Sequence, residues 1–171
     1  YSGEKLEPEG YTSYDLALDN RDALAGDIYK NAENYYKSVF EHAGGSISFY
    51  PDKNGAAPTA ELYHRETRSI SVQDVKEFCK KHGITENVFF ISAFGITLGK
   101  YNFKKDAVFT TIYHGRNDSR LSETVGMLVK TLPVFCDFSG TAKDCLSGVQ
   151  KQLIDSMNND IYPFSQISHE F

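Results

Sequence analysis

Asp106–Phe138 reads DAVFTTIYHGRNDSRLSETVGMLVKTLPVFCDF, and this stretch decides the fold. Two apolar, β-rich runs, Ala107–Tyr113 and Val129–Phe138, flank a polar turn that carries Gly115-Arg116 and then Gly126-Met127. A strand that ends in a Gly-Arg turn, with a second apolar run after it, predicts the functional edge of a sheet. Binding groups usually sit on loops held by a stiff scaffold. The remaining chain reads as helices and a hairpin packed around this edge.

Immediately upstream, Ser71-Val72-Gln73-Asp74 resembles a capping box and opens a helix that stops at Gly83. Thr85 then caps a second helix, Asn87–Tyr101, which is apolar nearly all round and is therefore expected in the centre of the fold. Gly95 and Gly99 lie four apart on it, a spacing that lets another backbone approach. Further upstream, SISFY (Ser46–Tyr50) and Glu61–Ile70 have strand character, and Asn54-Gly55 is the sharpest turn signal between them, so a hairpin is expected.

Apolar positions of helical period over Asp27–His42 predict a helix capped by Asp27 and stopped by Gly44. Tyr14–Leu18 reads as a short helical turn within an irregular start. Downstream, Thr141-Ala142-Lys143-Asp144 opens a helix to about Met157, and Ser165 begins a last one. Helices alternating with mixed strands predict an α/β chain, an α+β two-layer sandwich with a mixed β-sheet packed on helices.

Composition narrows the function. The 171 residues favour one domain or a large lobe of one. A net charge of −5 without a basic block gives nucleic acid little electrostatic support. No apolar run reaches the ~20 residues of a membrane span, and the acidic start is no signal peptide. That start lacks Met and reads as a processed or cut end. Eleven tyrosines and no tryptophan mean that buried phenolic oxygens must find partners. Cys79, Cys136 and Cys145 are too dispersed for zinc and read as buried free thiols of a cytoplasmic protein. No metal site is expected.

Nor does any motif name a reaction. There is no nucleophile elbow, phosphate loop or dinucleotide fingerprint. Of the five histidines only His114 stands at the sheet edge, where a surface or structural role is favoured. Arg116 either clamps an anion or pairs with Asp118 or Glu123. Lys130, within an apolar run, either snorkels at the strand's exposed end or faces a polar cavity.

The order of several short segments resembles the condensation domain of non-ribosomal peptide synthetases, a family with the chloramphenicol-acetyltransferase-like fold. Tyr14-Asp15-Leu16-Ala17-Leu18 looks like its Tyr-x-Asp-x-Ala-x-Trp segment, without the Trp. Thr85–Tyr101 is similar to its buried helix, and Ile112–Asn117 to its strand ending in Gly-Arg. Val125–Pro133 looks like Ile-Gly-x-Phe-Val-Asn-Thr, with Lys130 in place of Asn. Asn159–Phe164 looks like His-Gln-Asp-x-Pro-Phe-Glu, with an extra residue.

The family's His-His-x-x-x-Asp-Gly motif is not in this sequence. The resemblance therefore implies a piece cut at both sides: an inter-lobe segment and helix over residues 1–45, and a C-terminal lobe over 46–171. It implies a parent enzyme that forms an amide between acyl or aminoacyl thioesters carried on phosphopantetheine arms. No cofactor is bound directly, and the partners are peptidyl or acyl carrier domains and the missing N-terminal lobe. This piece alone would hold no catalytic residue and be inactive. It would line one wall of the substrate tunnel through Gly115, Arg116, Gly126, Met127, Lys130 and Thr131. The alternatives are a related acyltransferase or epimerisation domain on the same fold, or a non-catalytic module that recruits a partner.

Overall fold

A computed structural model describes residue 3, residues 7–41 and residues 65–170. Its elements are α1 (Ser13–Leu24), α2 (Asp27–Phe40), α3 (Val72–His82), α4 (Glu86–Tyr101), β1 (Asp106–Tyr113), β2 (Lys130–Asp137), α5 (Ala142–Asn158) and α6 (Phe164–Glu170). Among the described residues, β1 and β2 form a two-stranded antiparallel sheet, and the α/β class holds.

The helix boundaries follow local chemistry. The Ser71 and Thr85 side chains accept the Asp74 and Val88 N–H groups, which would otherwise lack partners in the first turn. Gly83 ends α3 in the left-handed conformation, φ 65°. At α5, Thr141 and Asp144 close a reciprocal capping box.

Several expectations change. The Tyr14–Leu18 turn is part of a full helix, because Thr12 and Asp15 form a further capping box that starts α1. Gly26 rather than Asp27 is the cap of α2, and Asp27 is the first-turn acid. The third change concerns α4, which is not buried all round. Val88, Ile91, Ser92, Gly95, Leu98 and Gly99 face inward, whereas Phe90, Phe94 and Tyr101 keep about half their area exposed. Ser46–Tyr50, the Asn54-Gly55 turn, Gly44, His42 and His64 lie outside the described residues. Of Glu61–Ile70, residues 65–70 are described, and they are exposed and form no strand.

The chain divides into two compact units. The first contains α1, α2, the far part of the β1–β2 hairpin, the end of α5 and α6. Its core is aromatic: Tyr36 and Tyr162 are almost fully buried around Ala32 and Ile167. Their rings stack 6.0 Å apart, and Tyr29 meets Tyr162 at 5.1 Å. Tyr35 and Tyr36 have the expected phenolic partners. The Tyr35 hydroxyl donates to Gln152 O (3.1 Å) and contacts Ser156 Oγ (3.0 Å), while the Tyr36 hydroxyl donates to Ser156 O (3.4 Å). Burial raises the Tyr36 and Tyr162 pKa values above the ordinary phenol range, which keeps both neutral.

The second unit contains α3, α4, the base of the hairpin and the start of α5. Cys79, Val88, Leu98, Ala107, Cys136, Cys145 and Val149 are buried in it. A Cβ on Gly99 would lie 2.8 Å from Asp106 O, so a strand backbone does approach α4 where the glycine spacing allowed it.

Candidate functional site

The polar turn after β1 is held from within. Gly115 has φ +69°, and a Cβ there would lie 1.9 Å from Leu128 O. Only glycine lets the two arms of the hairpin come this close. Arg116 bonds within the loop that follows it. Its guanidinium donates to the carbonyls of Leu121 and Thr124, the latter at 3.0 Å, and not to Asp118 or Glu123. Asp118 is taken instead by Arg120, at 2.6 Å, and Arg120 also reaches Asp19 at 3.1 Å. Its guanidinium lies 4.5 Å above the Tyr11 ring. His114 is exposed, and its Nδ1 accepts the Arg116 N–H at 2.9 Å, which makes it part of the turn.

The loop that follows is pinned to the start of the chain. The Thr124 hydroxyl donates to Tyr11 O at 2.6 Å, and Val125 N–H donates to Glu9 Oε1 at 2.8 Å. A Cβ on Gly126 would lie 3.3 Å from Ser13 Cβ, so this residue rests on the first turn of α1. Met127 projects outward, 89% exposed, and Val125 and Val129 are exposed on either side of it.

At the start of β2 the chain enters a cavity of about 430 Å³ within the first unit. Its walls come from α1 (Asn20, Leu24), from residues 129–132, and from residues 160–164, which link α5 to the first residue of α6. Lys130 faces this cavity. Its Nζ lies 2.9 Å from Asp160 Oδ1 and donates to Asp160 O at 3.1 Å. Leu24, Val129, Leu132, Ile161 and Phe164 make the rest of the lining largely apolar. Nearby, Tyr113 is 4% exposed, and its pKa is raised, first by burial and then by the charge of Asp160. An apolar cavity holding one matched ion pair suits a mostly apolar ligand that offers a single hydrogen-bonding oxygen.

Of the six residues expected to bind, the cavity gathers Lys130 and Thr131. Gly115 and Arg116 build the turn, and Gly126 and Met127 lie on the loop leading to the cavity. Sequence reasoning omitted Asn20, Leu24 and the 160–164 segment. The signal for the last was present, since Asn159–Phe164 already stood out as a motif.

A profile of the condensation domain matches residues 1–171. The chain belongs to the condensation domain family. Among curated relatives of this condensation-domain chain, the nonribosomal peptide synthetase sidC of Arthroderma benhamiae is 30% identical over 135 residues. The match covers 78% of this chain and 3% of that protein. Among solved structures, the first condensation domain of the calcium-dependent antibiotic synthetase matches 98% of this chain at 15% identity, with a TM-score of 0.74. The X-domain solved in complex with OxyB from teicoplanin biosynthesis matches 96% at 15% identity, with a TM-score of 0.72. The chain spans 38% of each of those two chains. These likenesses carry the fold, which is that of the chloramphenicol-acetyltransferase-like condensation domains.

No helix among the described residues is long and apolar enough to cross a membrane, and no cluster of three or more metal-binding side chains occurs among them.

Proposed function

We propose that this condensation-domain chain supplies one wall of a substrate tunnel in which an amide bond is made between carrier-bound groups. The amine on one phosphopantetheine arm attacks the thioester carbon on another, the C–N bond forms, and the thiol leaves with the displaced proton. On this reading residues 46–171 are the C-terminal lobe and residues 1–45 lead into it. The His-His-x-x-x-Asp-Gly imidazole that would accept the amine proton belongs to the other lobe. The enzyme works in the cytoplasm, with peptidyl or acyl carrier domains as partners.

The cavity carrying Lys130 and Thr131 is the observation that supports this most. An ammonium has three N–H groups, and Asp160 engages two of them. The third can donate to a thioester carbonyl. A donor held in place by an ion pair needs little rearrangement when charge develops on that oxygen. The exposed Val125, Met127 and Val129 make an apolar approach to the cavity. Holding both thioesters in such a channel supplies much of the rate through proximity.

The test is to express this chain together with an upstream lobe bearing the His motif and to supply two carrier domains loaded with acyl and aminoacyl groups. The amide product on the acceptor carrier is expected. Absence of product, with the motif verified and both carriers loaded, counts against the reading. A second reading, recruitment of a partner enzyme without turnover, draws on the likeness to the X-domain solved with OxyB. It predicts stable capture of a partner and no product in the same assay.

A further inference from the structure

Two of the three thiols are buried side by side in the second unit. Cys136 on β2 and Cys145 in the first turn of α5 have their sulfurs 3.4 Å apart and are 0% and 2% exposed. The proposed reaction uses neither. Cys136 Sγ also lies 4.0 Å from Ser92 O, which holds it on the α4 side of the strand. Cys79, the third thiol, is buried and free.

We propose that Cys136 and Cys145 are a dithiol modification site, convertible by small disulfide oxidants into an intramolecular disulfide that ties β2 to α5. The geometry needs a modest closure, from 3.4 Å to the ~2.05 Å of an S–S bond. The order of attack follows from position. Cys145 N–H donates to Thr141 O at the very start of α5, so its sulfur sits near the positive end of the helix dipole. The hydrogen bond between the two sulfurs lowers the Cys145 pKa below the ordinary thiol value. Cys145 is therefore the nucleophile.

Its thiolate attacks the oxidant RSSR, forming a Cys145–S–SR mixed disulfide and releasing RS⁻. Cys136 then loses its proton to water and attacks the Cys145 sulfur, releasing the second RS⁻. The protein loses two hydrogens and two electrons, and the oxidant is reduced to two thiols. Access comes from the exposed connection at residues 137–141, whose local opening uncovers the first turn of α5.

The test exposes the native chain to bis(2-hydroxyethyl) disulfide, followed by intact mass and peptide mapping without reduction. The expected product lacks two hydrogens, links the Cys136 and Cys145 peptides, and melts higher by about 5 °C, a shift that a thiol reductant reverses. In C136S the reaction stops at one 2-hydroxyethylthio adduct on Cys145, held as a mixed disulfide, and in C145S no adduct forms at Cys136. C79S keeps the cross-link and controls for the third thiol. If a serine variant does not fold, the peptide map of the native chain still decides. Separate adducts on Cys136 and Cys145, or modification of Cys79 while both stay reduced, overturn the proposal.

Discussion

Arg116 and Lys130 stand at the two ends of the connection between β1 and β2, and the chain uses their charges in opposite ways. At the turn, the guanidinium satisfies two backbone carbonyls and has no acidic partner there. At the start of β2, the ammonium is matched to Asp160 and opens onto a cavity. A carbonyl in a tight loop needs a donor wherever water is shut out, and a planar fork can serve two at once. The first cation is therefore architectural, and on the proposed reading the second meets the ligand.

The sharpest test of the architectural side is Gly115→Ala. The new methyl would meet the Leu128 carbonyl, and an alanine at this φ is strained even in open space. A loss of more than about 3 kcal/mol is expected in urea unfolding. Next comes Arg116→Met, which strands the Leu121 and Thr124 carbonyls and should cost about 2–3 kcal/mol by the same measurement. If Arg116→Met instead leaves stability unchanged and lowers turnover in the completed domain, the contrast between the two cations is broken.

On the ligand side the order of effects reverses. Lys130→Met should leave the fold nearly intact but lower kcat/KM of the completed domain about tenfold, which corresponds to about 1.4 kcal/mol. A smaller effect is expected from the ion pair alone. A double-mutant cycle of Lys130→Met with Asp160→Asn, followed by thermal unfolding, should give a coupling of about 1 kcal/mol or less, because both groups keep some contact with water.

The smallest effect concerns acid. Asp15 and Asp144 have pKa values below the ordinary carboxylate value, held there first by hydrogen bonds from the Thr12 and Thr141 hydroxyls and next by the backbone N–H of the same residues. Asp118 is lowered in the same way by Arg120. A carboxylate with a depressed folded-state pKa stabilises the protein above the unfolded value of ~4, and that contribution is lost as pH falls through the lower folded value. Thermal midpoints should therefore drop on the acid side of pH ~4. Asp15→Asn should make that decline shallower by lowering the midpoint slightly at neutral pH while leaving the acid-side midpoint nearly unchanged.

What the sequence revealed, and what it hid, follows the range of the forces involved. Ser71, Thr85 and Thr141 announced their helices because a cap involves groups only three residues apart. Gly99 announced a close approach because a missing side chain is visible in the letters. Arg116 was matched on paper with the nearest acids, since the carbonyls of Leu121 and Thr124 have no letter of their own. An apolar helix such as α4 was read as buried on all sides, yet which face is covered depends on neighbours that periodicity does not name. The Lys130–Asp160 pair spans 30 residues and is made by the return of the chain after α5, so neither residue signals the other.

The aromatic core carries a further consequence for anyone who follows this chain by spectroscopy. It has no tryptophan, and among the described residues its fully buried tyrosines, Tyr36, Tyr113 and Tyr162, all belong to the first compact unit. The near-ultraviolet dichroism of those three rings therefore watches that unit lose its packing, whereas backbone dichroism watches helices in both. A gap between the two melting curves would report, without any label, that the halves of the chain come apart in separate steps.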